Sequence, residues 1–420
     1  MAQGSEMRRR KQKNTHALSG RILFSLIMVA CYLFGKKVMI PWVEQDRNSL
    51  PGHGLQALIS AAMGNDTAAG SVLAVGFMPY MTSMIVVSLF HSVKGKRTQT
   101  SQKRMGDEMR VVTLLVAILQ AVMHAFQLTC RDYGSFSIPV LRAMTVMVLI
   151  AGTFYIVWLS ERCRKWGIGG STALILANIV QNIMRNLAQS FTELQREGYS
   201  PPAVAAVIVT GVLLIFLIMI VMEGAELHLS VRHLMIHNSF SGDSDLAMKL
   251  NPVGTMALMY VMTLFALPYY FCRFWTILFG ENPVTARIMQ NLNLQNGWGI
   301  FIFVMLLIGL NCALARIYIN PQETADILLK SGDYLPGVHP GEDTKRAINS
   351  RLWLVSVFSS VVLSIMIAGP LILELRLGIH SSIFMLPMSF MVLCGILLNV
   401  MEEVRTIQMM NTYRTIHWGL

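Results

Sequence analysis

The stretch Asn320–Gly341 runs NPQETADILLKSGDYLPGVHPG. It sits between two long apolar blocks, at about 298–318 and 352–373. Pro321, Gly332, Pro336-Gly337 and Pro340-Gly341 supply turn chemistry at several points along it. Proline fixes φ, and glycine reaches backbone conformations closed to other residues. A long loop punctuated in this way reads as folded rather than floppy. Its basic residues leave two readings open, a solvated surface or a docking site.

The flanking blocks belong to a chain that is 54% hydrophobic and only 14% charged over 420 residues. Mean hydropathy is +0.53. Soluble domains carry roughly 25% charge. Apolar runs of about 20 residues cross a bilayer core as helices. Ten such spans are expected, at about 21–41, 70–90, 111–130, 140–160, 167–187, 202–222, 253–275, 298–318, 352–373 and 381–401. With the N-terminus in the cytosol, 24 of the 34 Lys and Arg fall on the cytosolic side and 10 outside. That agrees with the positive-inside rule and puts both termini in the cytosol. No cleavable leader pattern follows the basic start, so targeting falls to the first span.

The expected organisation is a cytosolic N-terminus (1–20), a first half with spans one to five (21–200), a second half with spans six to ten (201–401), and a cytosolic tail (402–420). The second half carries two long cytosolic loops, about 223–252 and 319–350. The segment Gly52–Ala68, GHGLQALISAAMGNDTA, has an apolar part too short to span. It reads either as an outer loop or as a short helix dipping into a cavity.

Few ionisable groups lie at mid-depth. His124 is the clearest, and Arg142, Arg185 and Arg273 lie near outer span ends. Such scarcity argues against a proton-coupled transporter. The six cysteines are scattered, without metal spacing, and read as small buried hydrophobes. HExxH, GxSxG, Walker-type and dinucleotide motifs are all missing, so no catalytic site, metal or cofactor is expected. Any uphill movement would need a separate motor on the cytosolic loops. The 30 methionines suit either ordinary packing or a pliable pore.

The Asn320–Gly341 loop resembles the loop between the eighth and ninth spans of the SecY/Sec61-alpha family, whose pattern is NPxETAxxLxxxGxxxPGxRPG. One position departs, with His339 where the family has Arg. Further resemblances fall in order: Gly76–Leu89 (GFMPYMTSMIVVSL) to the second span, Gly167–Val180 (GIGGSTALILANIV) to the start of the fifth, Lys249–Asn251 to the start of the seventh, and Met401–Tyr413 (MEEVRTIQMMNTY) to the end of the tenth. The resemblance implies an all-α membrane protein with ten transmembrane helices in two pseudo-symmetric five-helix halves and a short plug helix. It implies a protein-conducting channel and a SecE-like small membrane subunit.

By the same resemblance, an apolar pore ring falls on Phe77, Met81, Ile175, Met259 and Val392, with Ile175 placed across a one-residue gap. The plug falls on Gly52–Ala68, with Leu55, Leu58, Ile59 and Met63. The lateral gate between the second and seventh spans takes in Ser88 and Met256. Motor docking falls on His228, Arg232, Lys330, His339, Lys345 and Arg346. The departures are specific: the family's Asn in the fifth span falls on or near Gly170, its gate Gln on Ser88, and its paired Arg on Leu227 and His228. Losing these arginines should weaken docking of the usual motor, since charge-assisted contacts orient partners. The chain thus resembles the accessory SecY of Gram-positive bacteria. That implies an accessory SecA-type ATPase, serine-rich glycoprotein preproteins as cargo, and the plasma membrane as location. A ten-span solute transporter would need a polar midplane site, and a membrane enzyme would need a catalytic group.

Overall fold

The computed structural model describes residues 2–43, 70–93, 102–130, 137–196, 201–233, 244–254, 256–280, 282–294, 296–377 and 386–413. The expected plug, with Leu55, Leu58, Ile59 and Met63, lies outside the described residues. The elements are α1 (Ala2–Lys37), α2 (Met78–Val93), α3 (Gln102–Gln127), α4 (Ile138–Trp166), α5 (Gly170–Arg196), α6 (Pro201–Gly224), β1 (Glu226–His233) and β2 (Ser244–Lys249). They continue with α7 (Met256–Phe279), α8 (Pro283–Asn291), α9 (Gly297–Tyr318), α10 (Pro321–Ser331), β3 (Asp333–Tyr334), α11 (Glu342–Leu377) and α12 (Leu386–Tyr413).

A long helix stands at each of the ten expected spans. Among the described residues α1, α3, α4, α7, α9, α11 and α12 are long and apolar enough to cross a membrane, and α2 and α6 hold shorter apolar stretches. The remaining one, α5, carries polar residues along one side. Boundaries differ from the hydropathy reading at two places. The first helix stops at Lys37 because Pro41 follows, and the residue before a proline avoids the helical region. The second helix begins only at Met78. Ser71–Phe77 forms turns, with Gly76 at φ +64°. Irregular backbone at this depth needs protein around it. Here Ile40 N–H donates to the Gly70 carbonyl (2.9 Å) and Val72 N–H to that of Val38 (3.0 Å).

The chain divides into two units. Unit 1 comprises Met1–Asn186, Ala266–Met289 and Ile396–Leu420. Its core includes Ile40, Ala74, Val75, Ala121 and Leu149. Short polar bonds join its helices, which is the usual glue where lipid removes the hydrophobic drive. Ser83 and Thr113 hydroxyls share a 2.6 Å bond between α2 and α3, and Trp42 Nε1 donates to Thr145 Oγ1 at 2.8 Å. A Cβ added at Gly152 would lie 2.1 Å from the Val72 carbonyl oxygen, so only glycine lets α4 approach that turn segment.

Unit 2 comprises Leu187–Phe265 and Gln290–Gly395. Asn311 of α9, fully buried, donates to Ser359 Oγ (3.0 Å), Ser360 Oγ (2.9 Å) and the Ser356 carbonyl (3.3 Å) of α11. Phe265 and Phe303 meet edge to face at 5.6 Å. A three-stranded sheet in the order β2-β1-β3 adds to the helical fold. β1 pairs antiparallel with β2 from Glu226–Lys249 to Val231–Ser244, and its other edge takes β3 through Arg232–Tyr334 and His233–Asp333.

Candidate functional site: buried apolar positions and a loop module

The expected ring positions are all deeply buried. In unit 1, Phe77 is the last turn residue before α2, and its carbonyl accepts the Met81 N–H at 3.1 Å. Phe77 lies 6.4 Å from the Tyr32 ring, tilted by 50°. The Tyr270 hydroxyl donates to Met78 Sδ at 3.3 Å. Ile175 lies in the second turn of α5. In unit 2, Met259 lies in the first turn of α7 and Val392 in the second turn of α12. Relative exposure is 1% for Phe77, 2% for Met81 and 0% for Ile175, Met259 and Val392. Apolar side chains without polar partners can close a pore by excluding water. Ser88 of α2 and Met256, the first residue of α7, are half-buried.

The start of α5 brings two of the quoted motifs together. Gly169 and Gly170 have φ +82° and +49°. The second is left-handed, a conformation open to Gly and tolerable for Asn, the residue that the resemblance puts on or near this position. Gly169 N–H donates to Glu403 Oε2 (2.9 Å), from the Met401–Tyr413 stretch. Ser25 of α1 completes the corner, accepting from Ile168 N–H (2.7 Å) and donating to its carbonyl (3.0 Å).

The two long loops form one module in unit 2. Val231 of β1, Ala325 and Leu328 of α10, Leu335 and Ile348 make its core, flanked by Leu229, Leu246 and Val338. β1 alternates: Leu227, Leu229 and Val231 turn inward, while His228, Ser230 and Arg232 are exposed. That period of two was legible in ELHLSVRH and identifies a half-buried strand. α10 opens on Pro321 at its first turn. It closes at Gly332, φ +76°, whose N–H bonds the Leu328 and Leu329 carbonyls. All six expected docking residues belong to this module. His228 faces Asp245 (3.7 Å), Lys345 bonds Glu342 (3.1 Å), and Arg346 lies 3.9 Å from Asp343. Lys330 and His339 are exposed, and the His339 carbonyl accepts the Thr344 hydroxyl at 2.9 Å.

The family model described as SecY matches residues 71–401. The chain belongs to the SecY family. It is 28% identical over 398 residues to the accessory Sec system protein translocase subunit SecY2 of Streptococcus salivarius, covering 94% of this chain and 96% of that protein. The protein of the same name from Streptococcus pneumoniae is 28% identical over 395 residues, covering 93% and 96%. Among solved structures, a protein-conducting channel superposes with TM-score 0.65 at 13% identity, covering 96% of this chain and 95% of that one. Canine Sec61 gives TM-score 0.60 at 12% identity, covering 96% and 95%. The protein is therefore a multi-pass membrane protein with the SecY fold, from a family of translocation channels rather than of enzymes.

Sequence reasoning missed three features of this SecY-family chain. The β1–β3 pairing joins strands from separate loops. The Gly169–Glu403 bond joins motifs at opposite ends of the chain. The polar side of α5 was passed over because only charged residues were sought within spans. Its signal was Asn178, Gln181, Asn182, Arg185, Asn186 and Gln189, spaced three and four apart.

Proposed function

We propose that this protein is the channel subunit of an accessory export system, moving serine-rich glycosylated preproteins across the plasma membrane. The observation that carries the proposal is the end-to-end likeness to the SecY2 proteins, over 94% of the chain, together with the loss of arginines at Leu227, His228 and His339. An accessory SecA-type ATPase supplies the energy and docks on the cytosolic module. A SecE-like subunit holds the halves in the bilayer, which are divided near residue 200. Both termini face the cytosol.

Phe77, Met81, Ile175, Met259 and Val392 form the seal in this reading. Gly52–Ala68, with Leu55, Leu58, Ile59 and Met63, plugs it from outside. Ser88 and Met256 flank the gate to lipid. Met81 and Met259 make the ring softer than one of β-branched residues, because Met is unbranched and adapts its shape. His228, Arg232, Lys330, His339, Lys345 and Arg346 face the motor.

Proteoliposomes holding the channel and its small subunit test this directly. Protein import should require ATP and the accessory motor. Equal transport, and equal pull-down, with the housekeeping motor would overturn the accessory reading. The ring has its own test. Phe77→Gly with Met81→Gly should raise ion leakage, and leakage equal to wild type would refute the assignment.

A further inference from the structure

We propose that one side of α5 forms the wall that a neutral, hydroxyl-rich polypeptide meets just outward of the ring, with Asn182, Asn186 and Gln189 as contact groups. This deepens the channel reading above and rests on it, since it names the residues suited to its cargo. A helix turns 100° per residue and rises 1.5 Å. Counted from Ile175, positions 182, 186 and 189 return to within about 40° of the same direction, roughly 10, 16 and 21 Å along the axis. Ile179, also about 40° from Ile175, lies on this side, and beyond it the side that carries the ring position continues as carboxamides.

The other sides of the helix differ. Ile183, about 80° round from Ile175, is buried at 5% exposure. Val180 and Met184, nearly opposite Ile175, are 45% and 64% exposed, the character of a strip against lipid. Polar groups within a span face protein or water rather than lipid. Asn182 is 3% exposed, and Asn186 and Gln189 are half-buried.

Cations orient the strip. Arg185 donates to Asn182 Oδ1 at 2.8 Å. Lys36 of α1 donates to Asn178 Oδ1 (3.2 Å) and Gln181 Oε1 (3.1 Å), and Asn178 Nδ2 donates to the Tyr32 hydroxyl. The carboxamides themselves carry no charge, and Lys36 and Arg185 keep theirs while fixing Asn178, Gln181 and Asn182 in place. A carboxamide donates and accepts, as does every serine hydroxyl and sugar hydroxyl. An apolar wall would strip such a chain of hydrogen bonds. Carboxamides offer a neutral chain contacts weak enough to leave, as conduction requires.

Two measurements test the wall. In a cysteine-free channel, Asn186→Cys and Gln189→Cys should react with a membrane-impermeant maleimide added outside, and Met184→Cys should not. Labelling at 184 but not at 186 and 189 would overturn the wall even in a channel that moves no preprotein. In proteoliposomes, Asn182→Leu with Asn186→Leu should slow a serine-rich preprotein about fivefold, the scale of one lost neutral hydrogen bond. A matched preprotein with alanine for serine should move at the wild-type rate, and Asn186→Gln should retain transport. Equal slowing of both preproteins would make the strip structural glue and overturn the inference. Failure of both preproteins in the unaltered channel would instead refute the export reading.

Discussion

The membrane helices of unit 1 and the loop module of unit 2 are built on opposite plans. In the module, apolar groups are hidden: Ile348 is 0% exposed, Ala325 4% and Val231 6%, beneath an exposed row of His228, Ser230 and Arg232. Among the helices, large apolar groups face outward, with Phe34, Leu23 and Met147 all exposed. The buried joints there are polar, such as Ser83–Thr113 and Trp42–Thr145. The solvent explains the reversal. Water drives the module's leucines and valines together. Lipid is as apolar as leucine, so close packing and hydrogen bonds must hold helices to one another.

The sharpest way to break this contrast is at Gly152, where packing alone is at stake. Gly152→Leu places side-chain atoms against the Val72 carbonyl and should cost more than about 4 kcal/mol, the range of severe core overpacking. Size-exclusion of a fluorescent fusion should show loss of the folded monodisperse protein. Wild-type behaviour would mean that α4 does not approach the turn segment.

Next comes the module. Ile348→Ala should cost about 2–5 kcal/mol of local stability, as buried truncations do in water. Limited trypsin digestion should then cut at Lys330 and Lys345 sooner, with the spans intact. The matching change on the lipid side, Phe34→Ala, should leave the digestion pattern unaltered.

The smallest effect should come from the membrane's polar joint. Asn311→Leu removes three hydrogen bonds to α11, yet such contacts average only about 0.6 kcal/mol each in membrane proteins. Thermal unfolding in detergent should fall by a few degrees. A loss as large as that of Ile348→Ala would show that polar joints outweigh apolar packing here. Lys345→Ala, which breaks only a surface i,i+3 pair, serves as the near-silent reference.

Legibility followed the range of the signal. The helix α10 and its Gly332 end could be anticipated as folded structure, because proline and glycine act within a few residues. The late start of α2 was harder. Hydropathy averages across Ser71–Phe77, and only Gly76 and Pro79 hint that the backbone there is irregular. The residues assigned to the ring were reached through motif likeness, and all five are buried. The carboxamides of α5 were present in plain view but carry no formal charge, so a search for ionisable groups passed them by.

The sequence by itself determined the solvent, the approximate spans and the family. Each depends on local hydropathy or on a contiguous motif. Only the tertiary structure decided that the two long loops share a sheet, that Gly169 is bonded by Glu403, and that α4 needs glycine at 152. Those contacts link residues far apart in the chain. Their stability comes from burial and hydrogen bonding formed on folding, which no short stretch of residues encodes alone.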